Sequence, residues 1–404
     1  MHTVPPKQVG LSSERLSHID RAMEEVVSRR DIPGLVTVVA RRGKIAHIGR
    51  YGVAERERER PMNTDTIFRI YSMTKPVTSV LALMLLEEGR FALQEPVAMY
   101  LPGFAELEVA TGHGPKGFTL EPAKRPVTIR DLFLHTSGLG YGIFDGDPLE
   151  HAYRTRLHAE ETVVSALSLE KLCELLPSLP LAFQPGESWR YSLSTDVLGR
   201  VAEVVTGTPL DTLMRERIFA PLGMVDTGFF VPPEKLSRFS AMYRFDERGE
   251  LALLDPSEGG PFTEPAHPPG GGTGLVSTAM DYLRFARTLL AGGELDGVRL
   301  LGERTHRYAI QNHIPHRLLP LHMGPDPMPG LGFGLGFAVH LGPHHGGSIV
   351  SPGSYSWGGI AGTAFWIDPA EDLIGLFLPQ VMRLQYHKML VQKYQNLVYQ
   401  AISD

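Results

Sequence analysis

The sequence predicts an α/β (α+β) protein: an antiparallel sheet of five or more strands flanked by helices, with a mostly helical second region inserted into it. Three observations carry this expectation. The first is that both ends of the chain supply strands. Gly34–Ala40 and Ile45–Val53 flank the turn Arg41-Arg-Gly-Lys44, and Gly334–His340, Gly359–Ile367 and Leu373–Pro379 read as three more. The last two are joined by Asp368-Pro-Ala-Glu-Asp372. The second is that helices lie outside those strands. Leu16, Ile19, Met23, Val26 and Val27 recur at helical spacing behind the caps Ser12 and Ser13, and Met382, Tyr386, Met389, Leu390, Leu397 and Val398 share one face of a final helix. Two early and three late strands suit one antiparallel sheet with both terminal helices on one side. The third is the stretch from Glu95 to Leu290, which reads as mostly helical with Pro- and Gly-rich connections. The expected division is therefore 1–94 plus 291–404 for the sheet region and 95–290 for the helical region, with the active site at their junction.

Bulk properties narrow the function classes. The chain has 404 residues, a formal net charge of −6 and no basic block, so neither nucleic acid nor an anionic membrane is the expected partner. Cys173 is the single cysteine, which excludes an intramolecular disulfide; its apolar helical setting reads as a buried small residue. The first residues lack an apolar signal core and no run approaches membrane-spanning length, so a cytoplasmic location is expected. There is no internal repeat. Two long loops, Pro261–Gly274 and Pro315–Gly330, read as functional walls or covers.

The chemistry is announced by Phe68-Arg-Ile-Tyr-Ser-Met-Thr-Lys-Pro76. Residues three apart share a helix face, so the Lys75 ammonium can reach the Ser72 hydroxyl. The strand-like segment Thr66 to Tyr71 precedes an apolar helix, Val77 to Leu86, which ends at Gly89. That order leaves the Ser72 oxygen near a helix N-terminus, where negative charge is favoured. Pro76 near the first turn costs little. Spacing alone does not identify a nucleophile. Ser168-Leu-Glu-Lys171 matches equally well, yet Ser168 reads as the N-cap of helix Lys171–Leu176.

Two later segments add candidates. Tyr191, in Trp189-Arg-Tyr-Ser-Leu-Ser-Thr-Asp196, precedes a helix capped by Ser192 or Ser194 that turns Val197, Leu198, Val201, Ala202 and Val205 inward and stops at Gly207. Tyr191 is either a core aromatic or, near Lys75, a general base with a lowered pKa. Tyr355-Ser-Trp-Gly-Gly-Ile-Ala-Gly362 opens the strand running to Ile367. Its paired glycines make either a simple bulge with Trp357 as a plug or a substrate cradle. In the cradle reading the N–H groups of Ile360 and Ser72 polarise an acyl oxygen. The Gly-x-Ser-x-Gly elbow is absent, His135 reads as a structural turn residue, and the adjacent His344 and His345 make a poor metal pair, so no metal is expected.

Taken together these motifs resemble the serine β-lactamase and penicillin-binding-protein superfamily, and within it the class C β-lactamase-like esterases (family VIII carboxylesterases) and related acyltransferases. Leu134-His-Thr-Ser-Gly-Leu139, Gly271-Gly-Thr-Gly-Leu-Val-Ser277 and Gly332-Phe-Gly-Leu-Gly336 extend the likeness over most of the chain, in the family's order. The resemblance implies a β-lactamase/transpeptidase-like fold, Ser72 as acyl-accepting nucleophile, and Lys75 and Tyr191 as the base and acid pair. It also implies an oxyanion hole from the Ser72 and Ile360 N–H groups, and substrate contacts at Trp357, Gly358 and Gly359. It implies no cofactor; the partner is a small-molecule ester. Trp357-Gly-Gly359 stands where the lactamases carry Lys-Thr-Gly, and Leu193 stands where their asparagine would be. Both departures favour esters of modest polarity over penicillins. The expected activity is a serine carboxylesterase; a β-lactamase, a D-amino-acid peptidase, an acyltransferase and a chemically silent scaffold are the alternatives.

Overall fold

The computed structural model describes residues 3–115, 117–157, 166–342, 349–382 and 387–404. His344, His345 and Tyr386 lie outside the described residues. The centre of the molecule is an antiparallel eight-stranded sheet. Its order across the sheet is Leu331–Phe333, Ala338–His340, Tyr355–Gly358, Ala364–Asp368, Leu373–Pro379, Gly34–Arg41, Lys44–Glu55 and Arg60–Pro61. Gly34–Arg41 lies between Leu373–Pro379 and Lys44–Glu55, so the two ends of the chain meet in mid-sheet.

Those two meeting strands are buried at every residue, because both faces of the sheet are covered. Side chains alternate across a strand, and here the alternation divides two cores. Leu35, Val39, Trp366 and Phe377 face the terminal helices Ser13–Ser28 and His387–Tyr399; Val36, Val38, Ile367 and Leu376 face the helix Thr74–Glu87. The terminal helices do share one side of the sheet, and they pack on one another. Ser12 caps the first of them by accepting the Arg15 N–H at 3.3 Å. Helix Thr74–Glu87 is buried from Thr74 to Leu85, which explains why its sequence is apolar on all sides.

Several expected boundaries shift. The segment read as one strand, Gly334–His340, is the second half of a hairpin whose strands are Leu331–Phe333 and Ala338–His340. The chain turns there because Gly336 has φ +98°, and because a side chain at Gly334 or Gly336 would strike the Ala309 carbonyl or the Ser79 hydroxyl. Likewise Tyr355–Gly358 is its own strand, and Gly359 to Thr363 form the turn back to Ala364–Asp368. The glycines therefore end a strand instead of opening one. Met382 precedes the final helix and Met389 on it is 62% exposed, so neither joins its buried face. The region between Glu95 and Leu290 also contains two hairpins, Glu108–Gly114 with Gly117–Pro122 and Met242–Phe245 with Leu251–Asp255. The loop from Pro315 to Gly330 holds a small hairpin, Leu321–Met323 with Asp326–Met328.

Candidate active site

Ser72 sits in the sharp passage from a strand to the buried helix. Ile67–Arg69 is shorter than expected and pairs with Val276–Thr278, outside the main sheet. A 3₁₀ turn, Tyr71–Met73, follows, and the α-helix starts at Thr74. Tyr71 has φ +41°, a left-handed conformation that costs a non-glycine residue energy and persists where packing holds it. The Tyr71 ring is packed in a buried cluster, edge-on to Phe262 at 5.7 Å between centroids. Ser72 is thereby delivered just ahead of the helix N-terminus, only 9% exposed.

Lys75 lies in the first helical turn and is 2% exposed. Its ammonium donates to the Ser72 Oγ at 3.4 Å, the Tyr141 hydroxyl at 3.0 Å and the Gly272 carbonyl at 2.9 Å. Three bonds match the three N–H donors of an ammonium. The Gly272 acceptor exists because the loop carrying it is wedged between the helices Thr74–Glu87 and Ser194–Thr206. Thr78 donates to the Gly271 carbonyl at 2.5 Å, and the Gly272 N–H donates to Asp196 Oδ1 at 2.9 Å. A Cβ at Gly271 would strike the Thr195 carbonyl, and one at Gly272 would stand 2.5 Å from Asp196 Oδ2 and 3.0 Å from the Lys75 Nζ. Only glycine allows that approach.

Tyr191 is close to Lys75, though its hydroxyl makes no hydrogen bond to it. The ammonium lies 4.6 Å from the Tyr191 ring centroid, while the buried hydroxyl has no hydrogen-bond partner among the described residues. The phenol that hydrogen-bonds Lys75 is Tyr141. The two tyrosine rings are 5.3 Å apart, edge to face. Tyr191 also meets Trp357 at 5.3 Å and His135 at 5.1 Å, so the site has an aromatic wall. The helix after Tyr191 starts at Ser194 with Leu193 at the N-cap; neither Ser192 nor Ser194 caps it. Ser192 is instead engaged by the His135 ring at 3.1 Å. His135, at φ +56°, closes the helix Ile129–Leu134, which is the structural role its motif suggested.

Trp357 and Gly358 end their strand beside the Ser72 turn, and a Cβ at Gly359 would come within 2.5 Å of the Ile70 carbonyl. Ile360 follows in the turn and packs on the cluster containing Tyr71 and Phe262. The Trp357 indole N–H is buried without a partner among the described residues. Ser168, by contrast, caps Leu169–Leu175 by accepting the Lys171 N–H at 3.2 Å, and Lys171 is exposed beside Glu174. Cys173 is buried, as its setting implied.

Electrostatics follow from this burial. Desolvation alone would depress Lys75, but the phenols of Tyr141 and Tyr191 and the carboxyl of Asp196 outweigh it and hold the ammonium above its ordinary value. Burial raises Tyr141 despite the neighbouring Lys75. Burial also raises Asp196, and it lowers His135 well below the usual imidazole range, with Lys75 adding to the effect. The resting cluster is a cation facing the neutral phenol of Tyr141. Sequence reasoning missed Tyr141, Gly272 and Asp196. Gly140-Tyr-Gly142, just past the Leu134–Leu139 motif, was the available signal for the first.

Known proteins agree with this architecture. The chain is 32% identical over 394 residues to Esterase EstB of Burkholderia gladioli, covering 93% of each. Its structure is similar to that of EstCE1, a hydrolase with promiscuous acyltransferase activity (TM-score 0.80, 25% identity, 96% of this chain and 99% of that one). It is similar also to simvastatin synthase from Aspergillus terreus (TM-score 0.79, 26% identity, 96% and 98%). The beta-lactamase family model matches residues 19–390. With that match spanning the strained serine turn, the lysine, both tyrosines and the glycine-ended strand, the chain belongs to the beta-lactamase family.

Proposed function

We propose that this protein is a serine carboxylesterase that hydrolyses short-to-medium acyl esters through an acyl-enzyme on Ser72. The observation that carries the reading is the Lys75 ammonium set between the Ser72 Oγ and the Tyr141 hydroxyl with Tyr191 stacked alongside. Once the Lys75–Tyr141–Tyr191 cluster has lost one proton it accepts the Ser72 proton as Oγ attacks the ester carbonyl. The oxyanion forms between the N–H groups of Ser72 and Ile360. The Tyr191 hydroxyl, unengaged among the described residues, protonates the departing alkoxide. Water then resolves the acyl-enzyme with the proton steps reversed. Trp357, Gly358 and Gly359 line the acyl side. An indole where lactamases place a lysine supports esters over β-lactams, whose carboxylate would lack that cation.

The test is mass spectrometry after brief exposure to p-nitrophenyl butyrate. A mass increase of one butyryl group on the peptide containing Ser72, lost in Ser72→Ala together with turnover, is expected. Labelling elsewhere, or turnover by Ser72→Ala, would sink the assignment.

Acyl transfer is the second reading. EstCE1 is described as having promiscuous acyltransferase activity, and the nucleophile here is only 9% exposed, which limits water more than it limits a bound alcohol. Added alcohol that raises ester product above hydrolysis at equal butyrate consumption would establish it.

A further inference from the structure

Glu150 is a charged side chain with 0% exposure, and nothing in the reaction outlined above uses it. It sits in the helix Pro148–Leu157, and its carboxylate is surrounded by donors. Oε1 accepts the Tyr141 N–H at 3.1 Å and the Arg190 guanidinium at 2.9 Å from Nη2 and 3.2 Å from Nε. Oε2 accepts the N–H groups of Gly142 at 2.6 Å, Ile143 at 3.1 Å and Phe144 at 3.4 Å. One oxygen therefore joins the backbone of Tyr141 to the residue preceding Tyr191. The two segments are tied a second time by the Leu193 N–H, which donates to the Gly140 carbonyl at 3.1 Å. Arg190 is itself fixed, by Asp147 at 2.5 Å and by its own N–H on the His135 carbonyl at 3.0 Å.

Burying a carboxylate is costly unless it is paired and hydrogen-bonded, and this one is both. A helix need not carry such a group merely to pack. Arg154 on the same helix grips the same loop, donating to the Gly142 carbonyl at 2.8 Å and the Phe144 carbonyl at 2.9 Å, yet its bonds do not reach the Tyr191 segment. The difference separates loop support from coupling of the two phenols.

We propose that Glu150 is a positioning residue that sets Tyr141 and Tyr191 together against Lys75, through the Tyr141 N–H and Arg190. The proposal rests on the acyl-enzyme reading, since it is the Ser72 proton that these phenols help to move. Loss of the clamp lets the hydroxyls drift from the ammonium while substrate contacts at Trp357 to Gly359 stay in place. The effect belongs in kcat and in the pH dependence set by Lys75 and the groups facing it: Tyr141, Tyr191 and Asp196, with His135 behind.

The experiment compares wild type, Glu150→Gln, Arg190→Gln, the double variant and Arg154→Gln. It measures the rate of Ser72 labelling by a fluorophosphonate, p-nitrophenyl butyrate kinetics across pH, and melting temperature. Glu150→Gln should lower kcat and the labelling rate at least about tenfold with KM within about threefold, because misplacement of proton-transfer groups is paid in rate. Its pH profile should be displaced, and the double variant should be about as slow as the worse single. Arg154→Gln should lose melting temperature with an unmoved pH profile. A Glu150→Gln enzyme with wild-type kcat and pH profile, or additive losses in the double variant, would overturn the clamp while leaving the esterase reading intact. Should Glu150→Gln fail to fold, Arg190→Gln and Arg190→Lys carry the same comparison, and wild-type rates in both overturn it. A wild type that the fluorophosphonate leaves unlabelled overturns both readings.

Discussion

At the scale of single residues the site is a proton-count problem. Lys75 spends its three donors on Ser72, Tyr141 and Gly272, so it cannot accept the Ser72 proton until one proton leaves the cluster. Because the ammonium is held above its ordinary value and Tyr141 is raised by burial, that departure occurs on the alkaline side. The sign is definite: the active form lacks a proton, so kcat/KM should climb with pH through neutrality and beyond. A plateau reached by pH 7, after subtraction of background hydrolysis, would contradict it. Tyr141→Phe and Tyr191→Phe should each cost roughly 10²-fold in kcat, the usual worth of a positioned proton-transfer group. Tyr141→Phe should also move the pH profile further than Tyr191→Phe does, since of the two phenols Tyr141 is the one that hydrogen-bonds Lys75. A Tyr141→Phe enzyme with normal kcat would return the base role to Lys75 and Tyr191.

Individual elements hold those residues by local devices. The helix Ile129–Leu134 has a capping box: Thr128 accepts the Asp131 N–H at 3.2 Å and Asp131 accepts the Thr128 N–H at 2.9 Å. Arg125 pairs with the same carboxylate and, against the opposing effect of burial, helps hold Asp131 below its ordinary range. This helix ends at His135, which backs Tyr191, so the cap is structural support at one remove from the chemistry. Thr128→Ala should cost about 1 kcal/mol of stability by urea unfolding, with kcat within about twofold of wild type. A large kcat loss with unchanged stability would show that the helix does more than support.

For the whole molecule, acid is the informative perturbation. Burial pushes His306 and His340 down to about 4 from an ordinary 6.5. The unfolded chain therefore takes up protons first, and stability falls as pH drops from about 6.5 toward 4. The Arg238 and Lys235 side chains then hold Asp226 down to about 2, a contribution that is present at neutrality and lost as pH falls below about 4. The melting temperature should decline in both windows, and His306→Gln should flatten the upper one. A melting temperature constant from pH 7 to 4 would mean that these imidazoles are not kept neutral. The two windows report different parts of the fold. His340 lies on the strand next to the Leu331–Phe333 edge of the main sheet and His306 is engaged by Tyr355 on the strand after it, whereas the Asp226 N–H donates to Asp281 just past the strand Val276–Thr278 that pairs with Ile67–Arg69.

The amino-acid order by itself determined the strand-rich ends, the covering terminal helices, the serine–lysine pair and the decoy at Ser168. Each of these is a matter of spacing within a few residues, where periodicity and capping chemistry act. Its errors at the glycines have one cause. Gly334, Gly336 and Gly359 turn the chain because a carbonyl or hydroxyl from a distant segment occupies the place of a Cβ, and such a neighbour is invisible in a local window. Only the folded chain decided that Tyr141 takes a hydrogen bond from Lys75. Only it placed Gly272 and Asp196 beside the ammonium and joined both tyrosines through Glu150. Those partners stand between 9 and 197 residues apart along the chain, and what selects them is the packing of separate helices and loops around one buried charge that must be satisfied.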